Sequence, residues 1–475
     1  MEQADIPFLS ATQLASLIEA RQVSPEEALH AYLDRIEQVG PKVNAYITVC
    51  ADEAVQQARQ AGQEIQQGRY RGPLHGIPVA VKDQVHTTGI LTTDASKIRA
   101  DFIPTEDATV VAKLKEAGAV IIGKTNMSEF AIGDSFSSFK GPARNPWDLS
   151  RDPGTSSTGS GAATAARLCA TSLGEDTGGS IRGPASLCGL VGLRPTWGRV
   201  SRFGADGACW SIDTIGPISR TVEDCAATIG AIAGYDPKDP YTRQVPVPDY
   251  RQALTGDIRG LKVGLVQDYL DPEKSGVDPR VRDAVIAAAG VLSELGADVR
   301  DVSLPLSVNC GVAIRTITHV DRVSLHPEWL RERPQDYHHN TRVSFSTANL
   351  IPAPVYYKAQ KVRAMVRREV LGALEDVDVL IQPTSAAPAG VMSMDGTVAS
   401  KQQAKQALHR GGYTGPYSLT GTTAMSILCG FSSEGDGGLP LALQIAGRPF
   451  DEATVLRVGH AYEQATPWHN RLPPI

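Results

Sequence analysis

An α/β fold is expected for this chain from three observations. Residues 74–83 end in a short apolar, strand-like run, Ile77 to Val81, that closes on Lys82. Residues 107–118 have helical character and lead into Ala119-Val120-Ile121-Ile122-Gly123, the composition of a buried strand, so strand, helix and strand follow one another as in parallel pairing. The order then recurs: 261–266 reads as a strand, 279–295 as a helix, 297–304 as a strand, and 377–381 and 441–445 as later apolar runs. No fixed-period repeat, low-complexity linker or composition break divides the 475 residues, so a single domain, 1–475, is expected.

The N-terminal segment, 1–70, reads as helical. Ser24-Pro25-Glu26-Glu27 places a capping serine before a proline at the first helical position, with a glutamate at the third. Apolar Ala28, Leu29, Tyr32, Leu33 and Ile36 follow at helical spacing, and Gly40-Pro41 is expected to stop the run. A polar helix at 52–67 ends at Gly68. Nothing here carries chemistry, and the default is a structural face, with a homodimer as one use for it. Between 309 and 358 the periodicity breaks up around His319, His326, His338 and His339, with Trp329, Tyr337, Phe345, Tyr356 and Tyr357 among them. An irregular insertion of this kind suits a lid or pocket wall, and equally a surface excursion with no ligand contact.

Composition narrows the function classes. Apolar content of 42% and charged content of 21% belong to an ordinary globular protein. The net charge of −6 is interspersed, with no basic run to hold a phosphate backbone, which argues against nucleic-acid binding as the main task. Seven scattered cysteines without a Cys-x-x-Cys spacing suit reduced thiols better than disulfides or a zinc site. The N-terminus lacks the layout of a signal peptide, and no apolar run approaches the ~20 residues of a membrane span. A soluble, cytoplasmic protein with no membrane partner is expected.

The informative stretch is 148–196, where two clusters of serine, threonine and glycine flank a small-residue apolar segment. A helix-plus-strand connector would let the clusters fold back and meet around Ser156 and Ser180. Thr177-Gly178-Gly179 before Ser180 offers successive main-chain N–H groups without bulky side chains, as an oxyanion site requires. Residues 181–185 can begin a helix whose N-terminus adds positive potential. The same loop also suits a phosphate-binding turn.

A serine nucleophile needs a group to take its proton. The block contains no histidine, Gly178-Gly179-Ser180-Ile181-Arg182 departs from Gly-x-Ser-x-Gly at its last position, and no phosphate-loop motif is present. Ser137-Ser138-Phe139-Lys140 matches Ser-x-x-Lys, but without its usual companions. Lysine-assisted serine chemistry remains, with Lys82 as base and Ser156 as relay. Lysine is neutral at pH 7 only at a cost of about 4–5 kcal/mol, which burial would have to offset. A lysine at a strand end is otherwise commonly just solvated.

The segments 76–83, 153–161 and 174–184 together resemble the amidase signature family of serine hydrolases, and the likeness continues through Asn145-Pro146-Trp147-Asp148, Gly192-Leu193-Arg194-Pro195-Thr196, Ile215-Gly216-Pro217 and Pro467-Trp468-His469. The resemblance implies a single α/β/α domain around a mixed, mostly parallel sheet. It implies a Ser-cisSer-Lys triad: Ser180 as acylated nucleophile, Ser156 as bridging serine after a cis peptide bond, Lys82 as base and then acid. It places the oxyanion N–H groups at Thr177, Gly178, Gly179 and Ser180, and a supporting polar shell at Asp176, Arg182 and Ser157. No cofactor or metal is implied. In the loop Gly154-Thr155-Ser156-Ser157-Thr158-Gly159-Ser160, threonines stand at 155 and 158 where the family usually has glycines, so added bulk is expected to alter the loop or narrow the site.

Two functions follow from the resemblance. One is a free-standing amidohydrolase acting on a small-molecule amide, anilide or carbamate. The other is the glutaminase subunit of a tRNA-dependent amidotransferase, which Arg199-Val200-Ser201-Arg202-Phe203-Gly204 resembles. The 309–357 stretch and the Pro467-Trp468-His469 tail favour the first.

Overall fold

The computed structural model describes residues 2–132, 134–394, 412–433 and 438–475. Its centre is one sheet of eleven strands: β1 (Tyr46–Val49), β2 (Pro78–Lys82), β3 (Val120–Thr125), β4 (Thr171–Asp176), β5 (Val191–Arg194), β6 (Thr214–Ser219), β7 (Lys262–Val266), β8 (Asp298–Val302), β9 (Val379–Pro383), β10 (Ala424–Phe431) and β11 (Pro440–Gly447). Their order is β1-β3-β2-β4-β6-β5-β10-β11-β9-β7-β8. The expected strand, helix, strand unit is present as β2, the helix Thr109–Glu116 and β3, with β2 and β3 parallel.

The sheet is mixed, as expected, but not mostly parallel. Parallel pairs lie towards the two ends, β3-β2-β4 and β9-β7-β8. All the central pairings are antiparallel, because β6 inserts between β4 and β5 and the β10–β11 pair fills the gap to β9. Strands β5, β6 and β10 have no polar alternation, being buried on both faces, so periodicity did not reveal them.

The helix Pro25–Val43 starts as expected: the Ser24 side chain accepts the Glu27 N–H and the Glu27 carboxylate accepts the Ser24 N–H. It does not stop at Gly40-Pro41. It runs on as far as Asn44, which adopts φ 51° and donates its N–H to the Gly40 carbonyl. The Asn44 side chain donates to the carbonyls of Lys140, Gly141 and Pro142, a tertiary cap that outweighs the proline signal.

Residues 309–358 are helical rather than irregular, forming Gly311–Val323, Pro327–Glu332, His339–Ala348 and the start of Ala353–Asp376. Part of the stretch packs on a side cluster, where Val323, Tyr337, Phe345 and Ala348 meet Ile98, Phe130 and Ile132, while Ala313, Ile314 and Ile317 join the main core. A small cluster needs few apolar positions, and Pro327–Glu332 buries none, which is why helical spacing was faint. His326 lies in that cluster against Phe130 and Phe345, and burial drives its imidazole pKa down to about 3, the environment of a neutral core histidine. All seven cysteines are buried thiols. Among the described residues no helix is long and apolar enough to cross a membrane.

Candidate active site

Two parallel neighbours deliver the main groups. Strand β2 ends at Lys82, and β4, in register with it through Val81 opposite Leu173, ends at Glu175 and Asp176. Functional groups thus collect at the carboxyl edge of the parallel part of the sheet, where α/β folds place their sites. The connector expected between the two serine clusters is the helix Thr158–Ala165 followed by β4, and it brings them together: the Ser157 N–H donates to the Ser180 carbonyl at 3.3 Å.

Lys82 is wholly buried, not solvated, and its Nζ donates to Ser156 Oγ at 2.7 Å. Ser156 follows a cis peptide bond from Thr155 and is 2% exposed. The threonines at 155 and 158 therefore leave the lysine–serine contact intact. Burial pulls the Lys82 pKa down, while negative charge on the Glu175 carboxyl group, 3.4 Å away, opposes that fall and Arg322 adds to it.

Beside Ser180, Asp176 ties the loop together. Its Oδ1 accepts from the Gly179 N–H at 2.8 Å, and its Oδ2 accepts from the Ile181 and Arg182 N–H groups. Arg182 grips both oxygens at 3.0 Å, and Arg194 adds a contact at 3.1 Å. Burial alone would raise this carboxyl, but the two guanidinium groups and these bonds hold it well below the usual carboxylate range. Arg182 also donates to the Thr414 carbonyl, Ser418 Oγ and Gln444 Oε1.

The bond to Asp176 changes one expectation. The Gly179 N–H is already engaged by that carboxylate, so of the expected oxyanion donors Thr177, Gly178 and Ser180 remain as candidates. Gly179 has φ +121°, and a Cβ there would lie 2.3 Å from Thr414 Oγ1, so the position has no room for a side chain. A Cβ on Gly178 would approach Ile314, on the helix Gly311–Val323, at 3.6 Å. Ser157 exchanges weaker contacts with the Glu175 main chain, at 3.3 and 3.4 Å.

Sequence reasoning missed Glu175, Asp213 and Arg194. The signal for Glu175 was available: an acidic residue stands immediately before Asp176 in a run otherwise made of glycine, serine and threonine. Asp213 and Arg194 reach the site only through β6 and β5, which were not foreseen. Glu175 and Asp213 also line an open cavity of about 230 Å³ with Gln84, Arg202, Trp210 and Tyr241.

The Amidase family's sequence profile matches residues 27–456. The chain belongs to that family. It is 43% identical to the A component of glutamyl-tRNA(Gln) amidotransferase from Geobacter metallireducens, over 98% of this chain and 99% of the relative. Among solved structures, one described as a vestigial protein complex revealing the evolutionary origins of an s-triazine catabolic enzyme matches with TM-score 0.88 and 33% identity, over 96% of this chain and 98% of that one. The peptide amidase of Stenotrophomonas maltophilia matches with TM-score 0.84 and 30% identity, over 99% of both chains. Family membership establishes an enzyme that acts on carbon–nitrogen bonds.

These relatives shift the balance between the two readings. The 309–357 stretch, expected to set this chain apart from the amidotransferase component, lies within an alignment covering nearly the whole of both proteins. Full-length identity at this level favours the amidotransferase reading over a free-standing hydrolase of anilides or carbamates.

Proposed function

We propose that this chain hydrolyses a primary carboxamide through a seryl acyl-enzyme, as the glutaminase component of an amidotransferase. Ser180 Oγ attacks the carbonyl carbon, its proton passes to Ser156 Oγ, and the Ser156 proton passes to Lys82 Nζ. The N–H groups of Thr177, Gly178 and Ser180 stabilise the oxyanion, and the proton returns by the same route to the departing nitrogen. Water then resolves the acyl-enzyme by the same steps. Asp176, Arg182 and Ser157 hold the loop that carries this geometry, and Ile314, in the 309–358 stretch, stands close to Gly178.

The observation that carries the reading is the 2.7 Å contact between Lys82 Nζ and Ser156 Oγ inside a fully buried setting. Burial favours the neutral amine that a base must be. Identity to a component of glutamyl-tRNA(Gln) amidotransferase supports glutamine as the amide donor.

The likeness to a peptide amidase favours a second reading, release of ammonia from a small amide without a partner. One assay separates them: ammonium release from L-glutamine and from a peptide C-terminal amide, by the purified chain alone and with the partner components of an amidotransferase. Glutamine turnover that needs the partners supports the first reading, and partner-free turnover of the peptide amide supports the second. Equal rates for primary and N-alkyl amides, or full activity in Ser180→Ala, would sink both.

A further inference from the structure

The carboxyl group of Glu175 stands between the buried base and a second acid. Its Oε2 lies 3.4 Å from Lys82 Nζ, and its Oε1 lies 2.7 Å from Thr177 Oγ1. The same hydroxyl oxygen is 2.8 Å from Asp213 Oδ1. A threonine hydroxyl has one proton, so it donates to one of these carboxyl oxygens and must accept from the other. One of the two acids therefore carries a proton. Asp213 Oδ2 already accepts the N–H groups of Ala208 and Cys209, at 2.6 and 2.7 Å, which leaves Glu175 as the protonated partner in the resting site.

We propose that Glu175, Thr177 and Asp213 form a relay that moves negative charge towards Lys82 as Lys82 becomes an ammonium. This rests on the reading of Lys82 as the base for Ser180. In the resting site Lys82 is an amine, Glu175 a carboxylic acid and Asp213 a carboxylate. As Ser180 Oγ bonds to the carbonyl carbon and that C=O bond opens to an oxyanion, the Ser180 proton goes to Ser156 and the Ser156 proton to Lys82. Glu175 then gives its proton to Thr177 Oγ1, which gives its own to Asp213 Oδ1. No proton enters or leaves the site. The negative charge moves from Asp213 to Glu175, into contact with the new ammonium, and the sequence reverses when the leaving nitrogen is protonated.

The surrounding charges fit this arrangement. Arg322, on the helix Gly311–Val323, acts on both Lys82 and Glu175, and its Nε and Nη2 have no hydrogen-bond partner among the described residues, so it favours an anion nearby. Asp176 is neutralised by Arg182 and Arg194 and offers Lys82 little. Burial and the Asp213 charge push the Glu175 pKa up to about 7, where a carboxyl group gains and loses a proton with equal ease. Glu175 is a positioning residue acting through Lys82, and family membership does not assign it.

The test uses the pH dependence of Ser180 labelling by a fluorophosphonate, which needs no knowledge of the substrate. In Glu175→Gln the ammonium form of Lys82 loses its counter-charge. The acid limb is expected to move down by at least one pH unit and the plateau rate to fall at least tenfold. In Asp213→Asn the amide Nδ2 faces Thr177 and donates to it, so Thr177 donates permanently to Glu175 and fixes it as a carboxylate. Lys82 then stays protonated to higher pH, and the acid limb moves up. Opposite shifts are the signature of the relay. A merely structural role would leave both limbs within about 0.3 unit of the parent, and that outcome, or two shifts of the same sign, overturns the proposal. If Glu175→Gln fails to fold, Thr177→Val decides, because it cuts the relay: an unchanged plateau rate would overturn it. Parent-like labelling in Lys82→Ala would instead remove the base assignment on which the relay stands.

Discussion

Replacing Asp176 by asparagine keeps the shape of the side chain and removes its charge. Arg182 and Arg194, both fully buried, would then face each other with no counter-ion. Breaking a buried pair by deleting one partner costs about 3–5 kcal/mol, because the remaining charge is uncompensated. Two guanidinium groups share this carboxylate, which places Asp176→Asn at the upper end of that range. The pH dependence is also fixed in sign. A carboxyl held below its ordinary value of 3.8 contributes stability that is complete above that pH and is lost as pH falls towards its folded pKa. The deficit of the variant should therefore be full at pH 7 and should shrink on acidification below about pH 4, as the parent loses the same interaction. Urea unfolding followed by tryptophan fluorescence at pH 7 and at pH 3 measures both numbers. A variant within about 1 kcal/mol of the parent at pH 7 would refute the claim that Asp176 holds the two arginines, as would a deficit that does not change with pH.

Two further outcomes are expected. Gly179→Ala would drive a methyl group into Thr414 at a position with φ +121°, costing about 1–3 kcal/mol and displacing the chain next to Ser180. Fluorophosphonate labelling should slow at least tenfold while the circular dichroism spectrum is unchanged, and a parent-like rate would count against the loop geometry. Glu463 is a buried carboxyl whose pKa burial lifts to about 8, with the Asp224 and Glu223 charges adding to the rise, although it accepts the Val222 N–H. Its folded pKa lies above its ordinary value of 4.5, so its contribution is complete below that pH and is lost as pH rises through about 8. Glu463→Gln should gain on the parent by more than about 2 kcal/mol between pH 5 and pH 9, and equal pH slopes in urea unfolding would show that the carboxyl is not protonated in the fold.

The candidate site was legible in part because some of its signals are local in kind. Glycines and serines near a short strand announce a tight polar turn, whereas a lysine ending an apolar run reads equally as a solvated strand end, and the family resemblance is what pairs it with Ser156. The contact between Lys82 and Ser156 and the joining of the two serine loops follow from those signals. What escaped notice depends on partners far along the chain. The Gly40-Pro41 stop failed because Asn44 finds three carbonyls at residues 140–142. The mostly parallel sheet failed because β6 enters between β4 and β5, a pairing with no signature in a doubly buried strand. The histidine- and aromatic-rich stretch at 309–358 reads as irregular because Pro327–Glu332 buries nothing and its neighbours divide their buried residues between the main core and a small side cluster. Glu175 was in plain view, but its meaning depends on Thr177 and Asp213 and on β6 bringing Asp213 back to the carboxyl edge.

The fastening of Arg182 has a bearing on how the protein comes into being. Arg182, two residues after Ser180, is held by Thr414, Ser418 and Gln444, so the contacts that fasten it are complete only once β11 is in place. The lysine and both serines have left the exit tunnel long before then. A chain that stops before β11 carries Lys82, Ser156 and Ser180 but lacks Gln444, one of the three partners that fasten Arg182.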